Sequence, residues 1–76
     1  MAWVTTTELV AEMVANVLRI EVAEGDQVAV GDTVVLLESM KMEIPVIAEV
    51  AGTVSAVKVA VGDVVQEGDV LVALTR

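Results

Sequence analysis

The sequence contains an internal repeat, in which residues 13–38 match residues 50–75 at a constant offset of 37 positions. Ten of the 26 aligned positions are identical, and the register runs through both copies without a gap. Two copies of one supersecondary unit are expected to share one conformation, and neither buries its apolar face alone. The chain of 76 residues is therefore predicted to fold as one small domain whose two halves interleave around a quasi-twofold axis.

The repeat also decides between helix and strand in the first copy. Apolar residues recur at helical spacing behind a Thr-x-x-Glu capping-box pattern, so the segment Thr5–Ile20 read alone resembles an amphipathic helix. The equivalent residues of the second copy, 50–59, place a glycine, a threonine and a serine among valines, which is typical of a strand. Val, Ile and Thr supply 28 of the 76 residues, a composition that favours strands as well. An all-β fold is predicted.

Each copy carries two Gly-Asp pairs, six residues apart, which predict tight turns. Glycine reaches positive φ without a clash of Cβ, and an aspartate side chain can hydrogen-bond to nearby backbone. The four predicted turns are at Gly25-Asp26, Gly31-Asp32, Gly62-Asp63 and Gly68-Asp69.

The apolar residues between these turns predict four strands in each half. Val17 and Ile20 lie in opposite phase, which indicates a bulge that lets one strand serve two faces of a small closed sandwich. This domain is expected to span residues 8–76, and Met1–Thr7 is expected to be a loose leading segment. The predicted strands are Val10–Met13, Ala15–Val22, Gln27–Val30, Thr33–Glu38, Met42–Ala48, Ala51–Val59, Val64–Gln66 and Val70–Thr75.

Composition and charge argue against most catalytic and binding roles. The chain has no His, Cys or Tyr, so we expect neither catalytic residues of its own nor a metal site. A formal charge of −8 disfavours contact with nucleic acid or an anionic membrane, so the expected partners are proteins. The longest stretch without Asp, Glu, Lys or Arg has eight residues, and no signal-like segment opens the chain. A cytoplasmic monomer is expected.

The segment Glu38–Pro45 between the two copies is the part that the repeat does not explain. The chain must reverse here, which places Met40 and Lys41 at the tip of a hairpin, although a plain turn would favour Asn-Gly or Asp-Gly. Under one interpretation, Met40 and Met42 close the end of the core and Lys41 is an ordinary surface charge. Under the other, all three are exposed for recognition by another protein.

The residues Glu38-Ser39-Met40-Lys41-Met42 resemble the attachment motif of the biotinyl domains of biotin carboxyl carrier proteins and biotin-dependent carboxylases. That motif is Ala-Met-Lys-Met or Ser-Met-Lys-Met after an acidic residue. The resemblance covers about residues 10–75, including the Gly-Asp turns, and the motif lies midway between two symmetric halves, as in the family. The chain departs from the family in having Ala15 where many members have a glycine, and in lacking the thumb insertion of some carriers.

This resemblance implies a barrel-sandwich hybrid, a flattened barrel of two four-stranded antiparallel sheets, with Lys41 on the hairpin opposite the termini. It implies that biotin protein ligase activates biotin as an adenylate and attaches it to Lys41 through an amide bond. A biotin carboxylase and a carboxyltransferase would then load and unload a carboxyl group, while the chain itself acts as the carrier and catalyses neither step. The residues implied as flanking recognition and hairpin context are Met40, Met42, Glu38, Ser39 and Glu43.

Two alternatives remain open at this point. Lipoyl domains are similar in fold and in lysine placement, but their motif usually has Asp before the lysine and Ala after it, whereas Lys41 has Met on both sides. An unmodified barrel-sandwich module used only for protein contacts would have no reason to keep the Met-Lys-Met tip.

Overall fold

A computed structural model describes residues 5–76 of the chain. These residues form eight strands joined by turns and contain no helix, hence none long and apolar enough to cross a membrane. The strands are β1 (Thr6–Val10), β2 (Ala15–Ile20), β3 (Gln27–Val28), β4 (Thr33–Ser39), β5 (Met42–Ile47), β6 (Gly52–Val57), β7 (Val64–Val65) and β8 (Val70–Thr75).

The strands form two four-stranded antiparallel sheets, as the resemblance implied. The strand order is β1-β8-β6-β3 in one sheet and β5-β4-β2-β7 in the other, so each sheet takes strands from both halves of the repeat. The pairing is symmetric in register, since Val17 lies opposite Leu37 and, 37 positions later, Val54 lies opposite Leu74. All four of these side chains are buried in the shared core, because neither half could cover them alone.

The predicted bulge occurs in both copies. The pairing of β2 with β4 shifts register between Val17 and Arg19, and that of β6 with β8 shifts between Val54 and Ala56. A bulge of this kind bends the strand and re-aims the side chains that follow it. The opposite phases of Val17 and Ile20 in the sequence are thereby explained.

The four Gly-Asp turns are also confirmed. Gly25, Gly31, Gly62 and Gly68 have φ between 92° and 96°, a range that L side chains rarely adopt. In each turn the following aspartate accepts a hydrogen bond from the backbone N–H three residues before it, at 2.8–2.9 Å. The aspartate side chain therefore links the end of each turn to the backbone at its beginning.

The first strand lies earlier in the chain than the sequence analysis placed it. β1 runs over Thr6–Val10, not Val10–Met13, because residues 6–10 pair with β8 and complete the edge of that sheet. Thr5 and Arg76 exchange two backbone hydrogen bonds of 3.1 Å. The expected leading segment is therefore wrong for Thr5–Thr7, and its first four residues lie outside the described part of the chain. The other seven strands begin and end within two residues of their predicted bounds.

Candidate functional site

The hairpin between β4 and β5 brings together every residue that the sequence analysis assigned to the site. Ser39 lies directly opposite Met42, so Met40 and Lys41 form a two-residue loop. Both have positive φ, 53° at Met40 and 65° at Lys41. Positive φ at both positions is the requirement of a type I′ turn, which follows the strand twist, and a residue with a Cβ loses about 1–2 kcal/mol at each position. Backbone strain is thus concentrated at the tip.

The side chains of the tip are exposed to solvent. The exposed fraction is 91% at Met40 and 66% at Met42, and Lys41 is exposed as well. The hypothesis that the two methionines close the end of the core is therefore wrong. Thioether side chains held in water contribute little to folding, but they are flexible and suited to contact with another protein.

Buried strand residues support the hairpin from behind. Val34–Leu37 of β4 form a continuous buried run, with Leu37 only 1% exposed, and Ile44 of β5 packs against the same core from the opposite position. Only two residues, Glu38 and Ser39, thus separate the last core residue of β4 from the two-residue loop. Because the strands are anchored this close to the tip, the loop has a defined position relative to the barrel.

Lys41 has no charged partner in the described part of the chain. The ion pair found within residues 5–76 joins Arg19 to Glu21, away from the hairpin. Glu38 and Glu43 lie directly opposite each other on β4 and β5, two rows behind the loop, and neither forms an ion pair with Lys41. Like charges at directly opposite positions destabilise a sheet, so this pair is not explained by folding.

The internal repeat provides a comparison for the tip. At the same offset, Glu38 corresponds to Thr75, Glu43 to Thr6 and Met42 to Thr5, and these residues pair in the same register at the other end of the molecule. Thr5 and Arg76 therefore occupy the position that Met42 and Ser39 occupy behind the loop. Since threonines serve equally well in the same backbone, the fold does not require carboxylates or a methionine at these positions.

The second lysine of the chain has an ordinary surface position. Lys58 is exposed, follows β6 and lies between the half-buried Val57 and Val59. Its backbone N–H donates to the carbonyl of Leu71 at 2.8 Å, which continues the sheet pattern beyond the strand. Lys58 is therefore part of regular pairing, whereas Lys41 projects from a turn.

The tip is a protrusion and not a pocket. Two surface cavities of about 490 and 470 Å³ lie elsewhere, and none of the residues Ser39–Met42 lines either of them. A primary amine on a convex turn has no surrounding groups that bind or orient a substrate. The amine of Lys41 thus lies on a convex turn, outside both cavities.

Comparison with known proteins agrees with this geometry. A family model described as "Biotin-requiring enzyme", the biotin and lipoyl attachment family, matches residues 4–74. The chain belongs to the biotin/lipoyl attachment family. The match covers both copies of the repeat and the whole hairpin, so family membership does not depend on the four-residue motif alone.

Curated relatives in the family include biotinylated proteins. The chain is 70% identical over 37 residues to the "Biotinylated protein TB7.3 homolog" of Mycolicibacterium smegmatis, covering 49% of this chain and 52% of that protein. It is 48% identical over 36 residues to the "Biotin/lipoyl attachment protein" of Bacillus subtilis, covering 47% and 49% respectively. The chain thus spans about half the length of the curated relatives it matches.

Solved structures with the same fold include two carboxylases. A single-chain, multi-domain long-chain acyl-CoA carboxylase matches with a TM-score of 0.88 and 34% identity, covering 93% of this chain and 7% of that chain. The urea carboxylase of Kluyveromyces lactis matches with a TM-score of 0.86 and 31% identity, covering 92% and 6%. In both cases a small part of a much longer carboxylase chain has the architecture described above, which confirms the predicted fold class.

Proposed function

We propose that Lys41 is the attachment site for biotin and that the chain is a biotin carboxyl carrier. The observation that carries this proposal is the exposed Lys41, which forms no ion pair within residues 5–76, on a strained two-residue turn between two exposed methionines. The strain at Met40 and Lys41 has no packing benefit, and strained backbone of this kind is concentrated at functional positions. The 70% identity to proteins named as biotinylated supports the same assignment.

The residues of the tip fit covalent attachment of biotin. Deprotonated Lys41 Nζ would donate its lone pair to the carboxyl carbon of the biotinyl adenylate and form the amide bond. The bond from that carbon to the phosphate oxygen would break, AMP would leave, and the nitrogen would lose one of its two protons. No residue of the hairpin is placed to remove the first proton from Nζ, so we infer that biotin protein ligase does so. Once attached, biotin would carry a carboxyl group between a biotin carboxylase and a carboxyltransferase.

The barrel would contribute position and reach to that transfer. The lysine stem and the valeryl chain of biotin together give a tether of on the order of ten bonds, each about 1.5 Å long before zigzag shortening. Such an arm is flexible, so its direction is set at its base, by the loop between β4 and β5. The chain would act as a carrier subunit or domain and not as an enzyme.

Attachment of lipoate is the competing outcome, because the family includes both cofactors. Purified apo protein would be incubated with ATP and either biotin plus biotin protein ligase or lipoate plus lipoate ligase, and its intact mass measured. We expect one added biotin, retention on avidin and no lipoylation. Lipoylation without biotinylation would contradict the proposal, and labelling by neither ligase would favour an unmodified interaction module. The cytoplasmic location stays a prediction.

A further inference from the structure

Four apolar side chains form one exposed surface on the sheet that carries Lys41. Val14, Leu18, Val61 and Val64 are 62%, 39%, 64% and 66% exposed, and together they are called the β2–β7 patch. Asn16 of β2 lies opposite Val64 of β7, and Val14 and Leu18 flank Asn16 at alternate positions on the outer face.

A backbone contact brings the fourth residue of the patch to the same place. The N–H of Gly62 donates to the carbonyl of Val17 at 2.8 Å, so Val61 lies beside Leu18. Contiguous exposed apolar surface of this kind marks interaction sites more often than scattered single residues do.

The symmetry-equivalent positions beside β3 and β6 of the other sheet show that the fold does not need this patch. At the offset of 37 positions, the equivalents of Val14, Leu18, Val61 and Val64 are Ala51, Ser55, Glu24 and Gln27. The same turns and pairings are formed there with small or polar side chains. The apolar residues are therefore specific to the sheet that carries the lysine hairpin.

The patch lies close to the hairpin. Val64, Asn16, Glu38 and Glu43 form one row of directly opposite residues across β7, β2, β4 and β5. Neighbouring strands are about 4.8 Å apart, so Val64 lies about 10 Å from Glu38, which is two rows behind the loop. A standard interface of about 800 Å² per partner, centred near the tip, would cover both the loop and the patch.

The reach of the unmodified lysine indicates which partner must touch this surface. Five bonds of about 1.5 Å from Cα to Nζ give at most about 6–7 Å, so the enzyme that acylates Lys41 must bring its own surface against the sheet. An enzyme that acts at the far end of the biotinyl arm is held further away. The carboxylates of Glu38 and Glu43 border the patch on the hairpin side and form no ion pair within residues 5–76.

We propose that the β2–β7 patch is a docking surface for the ligase that modifies Lys41. The contacting surface of that ligase is apolar, with Lys or Arg side chains on the side that faces Glu38 and Glu43. This inference rests on the proposed function, since it concerns the same modification.

The test uses substitutions taken from the symmetry-equivalent positions of the repeat. Leu18→Ser and Val64→Gln are combined in one protein. They replace patch residues with the side chains of the symmetry-equivalent positions, Ser55 and Gln27, where the same fold already contains them. Val30→Glu is the matched control, because Val30 is 67% exposed, its equivalent is Glu67, and it lies before β4 at the end far from the hairpin. Denaturant melts establish that all variants are folded.

Steady-state biotinylation with apo protein as the varied substrate separates the outcomes. We expect KM to rise about tenfold in the double variant with kcat changed less than twofold, and both constants to be unchanged in Val30→Glu. Unsubstituted protein should also show a KM that rises with salt. If the unsubstituted protein is labelled and the double variant has the same KM as the unsubstituted protein, this inference is overturned and the proposed function is not. Failure to label the unsubstituted protein would overturn the proposed function and this inference together.

Discussion

Replacement of Met40 by glycine and by alanine separates the backbone of the tip from its side chain. Both substitutions remove the thioether, but only glycine adopts the φ of 53° without steric cost. Relief of positive φ is worth about 1–2 kcal/mol, and the extra freedom of glycine in the unfolded chain takes back about 0.4–1 kcal/mol. Because Met40 is 91% exposed, no loss of packing enters the comparison. Met40→Gly is therefore expected to be about 0.5–1 kcal/mol more stable than Met40→Ala.

Urea melts of both variants measure this difference, and single-turnover biotinylation measures the role of the side chain. If Met40 contacts the ligase, both variants should be labelled more slowly than unsubstituted protein. The higher stability of Met40→Gly should not restore its labelling rate. Met40→Ala should differ from unsubstituted protein by less than about 1 kcal/mol. The reasoning is refuted if Met40→Gly is the less stable of the two, or if Met40→Ala loses the 2–5 kcal/mol typical of a buried methionine.

Three further predictions concern the residues around the tip and the turns. Met42→Ala should slow biotinylation while changing the free energy of unfolding by less than about 1 kcal/mol, because Met42 is 66% exposed; a larger loss of stability would point to a packing role. Glu43→Thr should raise stability by about 0.2–1 kcal/mol at low salt, because it removes the like charge opposite Glu38; an unchanged melt at low salt would contradict this. Gly25→Ala should lower stability by about 1–2 kcal/mol, although a Cβ there has no neighbour within 4 Å, since φ is 92°; a neutral thermal melt would contradict this.

The internal repeat made most of the barrel predictable from the sequence. Valines at equivalent positions predicted equivalent strands, and the Gly-Asp pairs predicted turns that the positive φ values confirm. The first strand was misplaced because residues 5–12 match residues 42–49 only weakly. The usable signal was Ala11-Glu12, which repeats as Ala48-Glu49 at the same offset and would have extended the first copy to β1. An edge strand has only one paired neighbour, so its sequence is less constrained.

The conformation of the tip was less predictable than its composition. The motif indicated which residues form the hairpin, but Met and Lys normally avoid positive φ, so their left-handed backbone follows only from the two-residue spacing between β4 and β5. The exposure of Met40 and Met42 was open as well, because apolar side chains at a strand end are as often buried. The β2–β7 patch was not anticipated, since its members are separated in the sequence and meet only through the pairing of β2 with β7.

Peptide mapping of the labelled chain tests the central claim most directly. Two lysines are available, Lys41 on the turn and Lys58 in regular sheet pairing. After incubation with biotin, ATP and biotin protein ligase, all of the label should lie on Lys41, Lys41→Arg protein should not bind avidin, and Lys58→Arg protein should be labelled as the unsubstituted chain is. Label on Lys58, or retention of Lys41→Arg protein on avidin, would contradict the account.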